Sequence, residues 1–271
     1  MPLLRALLLG ALLQTSIAYS ATWITVEVPD SSSTLAYGIN DSEEIVGSYT
    51  DASRFIHGFL LSNGVYTTLD VPGALTTAAR AINNTDQVVG WFFDGKKQRG
   101  FIFDEQNYVV LDVPGALQTQ ALGINDAGQV VGTYVDSRSK THGFSYINGH
   151  FTTLDFPGSE FTSLSGINNR GHIVGVFIDA KDLDHGFVEN TNGKLRRLGP
   201  DLDSNAINDH NVVVGFRGDA GFWFNLRNYT FRLLQFPGAA STKCYGVSTS
   251  GDVVGIYQDT KDLPHAFLRT R

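Results

Sequence analysis

Short segments in which apolar and polar residues alternate recur along the whole chain, and turn-forming residues separate them. Residues 151–156, FTTLDF, are one example, and this two-residue period is typical of a half-buried β-strand. Another kind of segment, such as residues 129–134, QVVGTY, carries two adjacent branched aliphatic residues. Neighbouring strand residues point to opposite faces, so we expect this strand to be buried on both sides, between two other sheets. The glycine after the two valines indicates a bulge or a close backbone approach.

The same four motifs follow one another about six times: an isoleucine-asparagine motif, a valine-glycine motif, a glycine-phenylalanine motif and a proline-terminated strand. The glycines of the second motif are Gly47, Gly90, Gly132, Gly175, Gly215 and Gly255. The intervals between them are 43, 42, 43, 40 and 40 residues. A repeat of about 40–45 residues that contains four short strands is typical of a propeller blade.

In each repeat we name the strands a, b, c and d, in the order of the four motifs. Before the first strand a, the chain has a separate segment of type d, residues 23–28, and it ends on a segment of type c, residues 265–268. Pairing of these two segments would leave no open sheet edge. The sequence therefore predicts an all-β fold, a six-bladed β-propeller of four-stranded antiparallel blades closed by pairing of its N- and C-terminal strands. A β-sandwich would not explain six similar repeats, and the coils of a β-solenoid are usually shorter.

The first twenty residues do not belong to the repeat. Arg5 is followed by an apolar run, residues 6–13, and then by the small residues Ala18 and Ser20. This is the arrangement of a secretory signal peptide, and the run is shorter than the roughly 18 residues of a membrane span. We therefore expect a signal peptide at residues 1–20 and a single propeller domain at residues 21–271, which is secreted (extracellular or periplasmic) after cleavage. Retention of the first segment as a membrane anchor is the alternative.

The charge and the cysteine content limit the classes of partner. The chain has a net charge of −7, and removal of Arg5 with the signal peptide would make it −8. Surfaces that bind nucleic acid or anionic membranes are typically basic, so we expect no nucleic acid partner and no membrane insertion after cleavage. The single cysteine, Cys244, cannot form an internal disulfide and is predicted to be a small buried residue. We expect a monomer.

The motif of strand c resembles that of a known family. Residues 265–267 match the His-Ala-Phe motif of the bacterial probable extracellular repeat called the HAF family, and residues 125–132, NDAGQVVG, resemble its companion motif. His-Gly-Phe stands in the same place in three other repeats, whereas residues 99–101, RGF, and residues 220–222, AGF, depart from the motif. The resemblance covers nearly all of residues 21–271 and implies export and a propeller-like repeat. It implies no catalytic residues, because the family has no settled activity.

An aspartate precedes the histidine of strand c by six residues in four repeats, across the loop between strands b and c. The pairs are Asp51 and His57, Asp136 and His142, Asp179 and His185, and Asp259 and His265. Because an active site usually occurs once, we interpret this recurring pair as a structural contact in which the carboxylate closes the loop. Metal ligation and acid–base catalysis are the alternatives. The Asn-Asp-x-Gly segment after strand a is likewise interpreted as a plain β-turn rather than a calcium loop.

The d–a and b–c connections are expected to share one face, because successive strands alternate in direction. The b–c loops carry charged residues that could contact a partner. The candidate binding residues are Arg54, Lys97, Arg138, Lys140, Lys181, Asp184 and Lys261. A solvated rim without a ligand is the simpler interpretation. A binding face is the functional one, since binding residues commonly lie on loops held by a rigid scaffold.

The sequence favours a secreted repeat scaffold or binding module that contacts an extracellular glycan or protein through this face. The alternatives are an extracellular glycan-acting hydrolase or lyase with its site at the ring mouth, and a structural surface or matrix component. An enzyme should show one repeat with polar residues that the others lack. The fifth repeat contains Arg217, Asp219 and Trp223, but it differs mainly by deletion, which favours binding. We therefore predict no catalytic residues, no cofactor and no metal.

Overall fold

The computed structural model describes residues 21–105 and 107–271. All regular elements in these ranges are β-strands, so the predicted all-β class is confirmed. The predicted signal peptide, residues 1–20, lies outside the described residues. Within the described ranges we find no helix with the length and apolarity that a membrane crossing needs.

The strands of the described residues form six units of four. Each of the first five units contains strands a to d of one repeat, and the sixth takes its fourth strand from residues 22–26. The chain begins with β1 (Thr22–Val26). The first unit contains β2 (Ser33–Ile39), β3 (Ile45–Thr50), β4 (Ile56–Ser62) and β5 (Val65–Leu69). The second unit contains β6 (Thr76–Ile82), β7 (Val88–Phe93), β8 (Gln98–Asp104) and β9 (Asn107–Leu111). The third unit contains β10 (Gln118–Ile124), β11 (Val130–Val135), β12 (Thr141–Ile147) and β13 (His150–Thr153).

The second half of the chain continues the same pattern. The fourth unit contains β14 (Phe161–Ile167), β15 (Ile173–Ile178), β16 (Asp184–Glu189) and β17 (Leu195–Pro200). The fifth unit contains β18 (Asp203–Ile207), β19 (Val212–Arg217), β20 (Ala220–Asn225) and β21 (Thr230–Leu234). The sixth unit contains β22 (Ser241–Val247), β23 (Val253–Gln258), β24 (Pro264–Thr270) and, in the place of strand d, β1.

Within every unit the strands pair antiparallel in the order a, b, c, d. Single parallel bridges, between Ile56 and Thr76 and between Gln98 and Gln118, join the first three units into one twelve-stranded sheet. In the sixth unit, β1 pairs antiparallel with β24 over five residue pairs. The predicted contact between the two terminal segments is therefore present. None of the described sheets closes on itself.

Strand b is buried on both faces, as its paired aliphatic residues predict. In the third unit, Val130 and Val131 are both fully buried. Val130 packs with Leu111 and Phe144, whereas Val131 packs with Leu164 of the fourth unit. Each unit is therefore apolar on both faces and needs a neighbour on each side to remove this surface from water.

The glycine that follows the paired valines allows strands a and b to approach closely. A Cβ atom on Gly132 would lie 2.0 Å from the carbonyl oxygen of Gln120 and 2.9 Å from the ring of Phe144. The irregularity of the ladder is on strand a, where the register shifts between Ala121 and Gly123. The close approach therefore belongs to the glycine, and the bulge belongs to the strand opposite it.

The structure differs from the expected strand lengths in two respects. Strand d of the third unit ends at Thr153 rather than at residue 156, because only one further backbone bond, from the N–H of Leu154 to the carbonyl oxygen of Gly143 (2.9 Å), follows before the turn. The fifth unit has two shortened connections. Two residues join β17 to β18, and a two-residue turn joins β19 to β20. These deletions account for the shorter repeat intervals in this part of the chain.

Replacement of Val131 by aspartate should destabilise the fold by several kcal/mol, because it places an unpaired carboxylate between two packed units. The same change at Thr152, which is exposed on strand d, is the matched control and should have little effect. Thermal and urea melts of the two variants measure the difference. Equal melting points for Val131→Asp and the wild type would disprove two-sided burial of strand b.

Deletion of residues 21–30 should remove more stability than the loss of an ordinary frayed terminus. It removes the ladder of five residue pairs between β1 and β24, and each backbone hydrogen bond contributes about 0.5–1.5 kcal/mol net. The deletion also exposes the edge of β24, which should promote aggregation. Urea denaturation and analytical ultracentrifugation of residues 31–271 test both effects. A monomeric truncation with the stability of residues 21–271 would contradict this expectation.

Candidate functional site

The b–c and d–a connections lie on one side of the units, here called the loop face. In the third unit, the N–H of Leu117 donates to the carbonyl oxygen of Val135 (2.7 Å), so the d–a connection contacts the end of strand b. Glu160 and Ile178 make the same contact one unit later, at 2.9 Å. The opposite side, here called the turn face, carries the asparagine turns between strands a and b.

Each asparagine turn is closed by its own side chain. Asn125 Oδ1 accepts the N–H of Gln129 (3.0 Å), and Asn125 Nδ2 donates to the carbonyl oxygen of Asn168 in the next unit (3.4 Å). The following residue adds a second link between units, because the N–H of Asp126 donates to Oδ1 of Asn169 (2.7 Å). The amide is thus used within the protein, which agrees with the interpretation as a plain turn.

The histidine of strand c lies between two carboxylates. His142 Nδ1 is 2.7 Å from Asp155 Oδ2, and His142 Nε2 is 3.5 Å from Asp136 Oδ2. The aspartate six residues before the histidine is therefore a neighbour, but the closer carboxylate comes from the segment that follows strand d. The corresponding distances are 2.6 Å to Asp70 and 3.5 Å to Asp51 for His57, and 3.0 Å to Glu27 and 3.7 Å to Asp259 for His265.

The sequence reasoning missed the carboxylate that follows strand d. Its signal is an acidic residue two positions before the proline that ends the strand, as in Asp70, Asp155 and Glu27. This residue is distant in sequence from the aspartate of the b–c loop. A search for acidic residues at a short fixed spacing from the histidine therefore does not find it. Only the antiparallel pairing of strands c and d places it beside the histidine.

Two units vary this arrangement. In the second unit an arginine replaces the histidine, and Arg99 contacts both Asp94 and Asp112. In the fourth unit a proline lies opposite the histidine in the ladder, and the carboxylate contact of His185 is with Asp179, at 3.0 Å. A cationic or histidine side chain thus meets at least one carboxylate at this position of the first four units and the sixth.

Hydrogen bonds and charge explain how this group holds the loop. In the first unit, Asp51 Oδ1 accepts the N–H of Phe55 (2.8 Å), and this bond, together with His57, lowers the pKa of Asp51. Burial alone would lower the pKa of His57, but Asp70 and Asp51 raise it above its ordinary value. The imidazole also stacks on Tyr49, with ring centres 5.1 Å apart. The aspartate therefore closes the loop mainly through the backbone.

This geometry bears on the alternatives of metal ligation and catalysis. The two carboxylates lie at opposite ring nitrogens of the imidazole, so all three groups cannot converge on one metal ion. In residues 21–105 and 107–271, no group of three or more histidine, cysteine, aspartate or glutamate side chains is arranged to hold a metal ion. Cys244 is fully buried, and burial raises the pKa of its thiol to about 12. The structural role of the histidine pairs stays a prediction.

The seven candidate residues of the loop face do not converge on one site. Lys97 Nζ is 2.6 Å from Asp112, and Lys140 Nζ donates to the carbonyl oxygen of Ser159 (3.1 Å), so both lysines are bound within the protein. Four members are exposed on separate b–c loops: Arg54, Arg138, Lys181 and Lys261. The seventh, Asp184, lines a cavity at the centre of the loop face.

This central cavity has a volume of about 560 Å³, which lies within the usual range of ligand pockets, about 300–1,000 Å³. Strands a of five units and the ends of several strands b form its wall. Its polar and charged side chains are Arg80, Gln118, Gln120, Thr133, Thr141, Ser163, Ser165, Asp184, Asp203 and Asn205. Its aromatic side chains are Phe161, Phe216 and Tyr245. Apolar platforms and hydrogen-bonding groups therefore face one space.

The wall is built from positions at which the six repeats differ. The residue two positions before the end of strand a is, in unit order, Tyr37, Arg80, Leu122, Ser165, Asn205 and Tyr245. By contrast, a buried threonine recurs earlier in strand a of five units, and its hydroxyl accepts a backbone N–H from the segment that follows strand d, as Thr119 does from Val113 (3.1 Å). The residue type is therefore repeated at positions that stabilise the fold, and it varies at positions that face the cavity.

A stacked cation lies at the inner end of the cavity. The guanidinium carbon of Arg80 is 3.9 Å from the ring centre of Tyr37 and 5.7 Å from that of Tyr245. Burial raises the pKa of Tyr245 to about 12, so its hydroxyl stays protonated. Beyond this cluster the strands a touch, since a Cβ atom on Gly123 would lie 2.9 Å from the Cα of Gly166. The cavity therefore narrows inward from the loop face.

One side of the cavity carries two carboxylates and borders the shortened connections. Burial raises the pKa of Asp203, the charge of Asp184 raises it further, and Lys243 partly opposes this. Asp203 pairs with Phe216 where the fifth unit has its short loops. The surrounding loops are thus shortest beside Asp203.

Comparisons with known proteins identify a fold but no family. No family model matches the chain, and no curated protein matches it. The resemblance to the HAF repeat therefore stays a prediction.

Solved structures show what kind of fold this is. The chain is similar to TolB from Acinetobacter baumannii (TM-score 0.55, 15% identity, 88% of this chain and 54% of that chain), so it spans about half of the TolB chain. It is also similar to a chain of the nidogen/laminin complex (TM-score 0.56, 12% identity, 83% and 87% covered). A third is an Aleuria aurantia lectin variant in complex with Fucα1-6GlcNAc (TM-score 0.50, 11% identity, 90% and 93% covered). The class of the chain is thus an all-β protein of propeller type.

The stability that His57 contributes should depend on pH. Because its pKa is raised in the folded state, its contribution is fully present below the unfolded value of about 6.5 and is lost as the pH rises through the folded pKa. The wild type should therefore exceed His57→Gln in stability by more at about pH 5.5 than at about pH 8.5. Urea melts at both pH values measure this. His150→Gln, a change at an exposed histidine, is the control, and a pH-independent difference for His57→Gln would contradict the assignment.

Proposed function

We propose that this chain is a secreted binding module whose central cavity binds a glycan. The observation that carries the proposal is that the cavity is where the six repeats differ, although the scaffold around it is repeated. A site of this kind combines aromatic faces, such as Phe161 and Phe216, with amide, hydroxyl and charged groups. Sugars present both apolar ring faces and many hydroxyls, so this mixture suits them. The signal peptide at residues 1–20 is part of the proposal, since it would deliver the module outside the cell.

We further infer that the six units form a closed propeller ring. Support comes from the pairing of β1 with β24 and from contacts between the sixth and first units. The N–H of Thr249 donates to Asp41 Oδ1 (2.6 Å), and a Cβ atom on Gly246 would lie 2.9 Å from the carbonyl oxygen of Tyr37. These contacts are equivalent to those between other neighbouring units. A closed ring would hold the cavity wall rigid, which favours binding because less freedom is lost when a ligand docks.

The similar structures include one in complex with a fucosyl disaccharide and one from a protein–protein complex. Both kinds of partner agree with a binding module. We favour a glycan for the central cavity because its volume and its polar wall suit a small ligand better than a protein surface. The short loops of the fifth unit would let a longer saccharide chain leave the cavity on that side. The exposed residues of the b–c loops would then lie beside the chain.

The test begins with a glycan array screened with residues 21–271, followed by calorimetry with the strongest hit. Arg80→Gln and Asp203→Asn should each weaken binding at least about tenfold, since both alter the wall of the cavity. Lys261→Ala, on an exposed b–c loop, is the matched control and should bind as the wild type does. His142→Ala should lower the melting point modestly and keep binding.

Three outcomes would overturn parts of this proposal. Loss of binding in Lys261→Ala with full binding in Arg80→Gln would move the site to the rim of the loop face. Loss of binding in His142→Ala at an unchanged melting point would make the histidine pairs functional. Absence of any hit on the array, together with capture of a defined protein by the cavity wall, would replace the glycan by a protein partner.

A glycan-acting hydrolase is the second candidate, and one observation favours it. Asp184 and Asp203 both line the cavity, and the pKa of Asp203 is raised by burial and by its neighbour. Many glycosidases use two carboxyl groups, one protonated as an acid and one ionised. Release of reducing ends from the array hit, abolished in Asp203→Asn, would support catalysis. Binding without release, or equal release by the wild type and Asp203→Asn, would exclude catalysis by these two carboxyl groups for that glycan.

A further inference from the structure

A second cavity lies between the fourth and fifth units, away from the central cavity. Its volume is about 310 Å³, and its wall consists of residues from β16, β17 and the turns beside them, together with residues of the fifth unit. Its composition is unusual for this acidic chain. Three basic side chains, His172, Lys194 and Arg196, share the wall with Tyr229 and the amides of Asn190 and Asn211, and no carboxylate is part of the described lining.

Two of the basic residues reach this cleft from the start of strand d. Lys194 directly precedes β17 and Arg196 lies within it, and both line the cleft. Leu195 and Arg197 lie on the opposite face, where the guanidinium of Arg197 is 4.9 Å from the ring centre of Phe177. The strand therefore has one arginine, Arg196, on the face toward the cleft and another, Arg197, on the opposite face. Substitutions of these two residues form a matched pair of variants.

Arg196 and Tyr229 lie together in the wall of the cleft. Arg196 Nη1 donates to the hydroxyl of Tyr229 (3.1 Å), and its guanidinium carbon is 5.4 Å from the centre of that ring. This contact fixes the guanidinium but leaves its charge without a carboxylate partner among the described residues. Tyr229 as a whole residue is 65% exposed, so it remains available for stacking.

His172 and Asn211 complete the opposite wall. Asn211 Oδ1 accepts a bond from Asn168 Nδ2 (3.2 Å) and lies 2.9 Å from His172 Nδ1. Because the amide oxygen can only accept, His172 Nδ1 carries the proton of this bond. No hydrogen bond to the other ring nitrogen is present in the described part of the chain. The imidazole is therefore oriented, and one nitrogen remains for a ligand.

The basic character of this cleft is not shared by every cleft between units. The corresponding cleft between the sixth and first units has a volume of about 380 Å³ and is lined by Glu43, Asn63 and Tyr66 among others, without a basic residue in its described lining. By ladder register, Ile24 stands in the sixth unit where Arg196 stands in the fourth. The fifth unit also has an arginine at this position, Arg232, whose guanidinium carbon is 5.6 Å from the ring centre of Trp223. What distinguishes the cleft is thus the combination of His172, Lys194 and Arg196 in one wall.

We propose that this cleft binds an acidic sugar residue, one whose ring carries a carboxylate or a sulfate. The anionic group contacts Arg196 and Lys194, because charge-assisted hydrogen bonds to such groups are the strongest that side chains make. The apolar ring face of the sugar rests against Tyr229. The amides of Asn190 and Asn211 are placed for its hydroxyls. The cleft is separate from the central cavity, so this inference does not depend on the proposed function.

The experiment is a calorimetric titration of residues 21–271 with three disaccharides: one containing glucuronate, one sulfated and one neutral but otherwise matched. The acidic disaccharides should bind at least about tenfold more tightly than the neutral one. Their relative affinity identifies the anionic group. Equal binding of all three, or no binding at all, would overturn the proposal.

Two matched variants then locate the binding. Arg196→Gln should remove the preference for the acidic disaccharide, whereas Arg197→Gln removes the same charge from the other face of the same strand and should keep it. Asp203→Asn in the central cavity should also keep it, which separates this site from the first. Equal loss in Arg196→Gln and Arg197→Gln would indicate a general charge effect and would overturn the assignment. Melting curves of each variant confirm that the fold is intact.

Discussion

A buried asparagine side chain connects each of the first five units to the next. Its oxygen closes the turn after strand a, and its nitrogen donates to the backbone of the following unit, as Asn208 does to the carbonyl oxygen of Ser248 (2.8 Å). The units cannot stand alone, because their strands b are apolar on both faces. Burial of that surface supplies the attraction between units, but it is not directional. The asparagine fixes the orientation of neighbouring units. Its amide can make its hydrogen bonds only when the next unit lies at the right distance and angle.

Most of the fold could be predicted because its constraints recur. Paired branched aliphatic residues require two-sided burial, and the glycine after them is required where a Cβ atom would meet a carbonyl oxygen at 2.0 Å, as at Gly47. Each constraint appears six times, so a pattern of this kind is not expected by chance. The ends of strand d were harder to predict, because alternation continues into residues such as Asp155 that leave the ladder and turn toward a histidine. The contact between this carboxylate and the histidine, rather than a change in the alternation of apolar and polar residues, marks the end of that strand.

The candidate site was mostly invisible in the sequence for the same reason. Motifs were found by what the repeats share, whereas Arg80, Ser165 and Asn205 occupy a position where they differ. The charged loop residues were recognised, but Lys97 and Lys140 proved to be bound within the protein. Whether a charge is free depends on partners distant in sequence, and spacing alone does not contain that information. The useful signal was the variation between repeats at the inward-facing positions of strand a.

The two faces of the molecule therefore carry different constraints. The fifth unit has lost residues from both of its loop-face connections, yet its turn face is intact: Asn168 Nδ2 still donates to the carbonyl oxygen of Asn208 (2.9 Å). Deletions on the turn face would break the hydrogen bonds between units. Deletions in the loop-face connections leave those bonds intact and are therefore tolerated. The cavity wall and the short loops around Asp203 lie in that tolerant region. A repeated scaffold that varies at one place is what a binding protein needs in order to change its ligand without changing its fold.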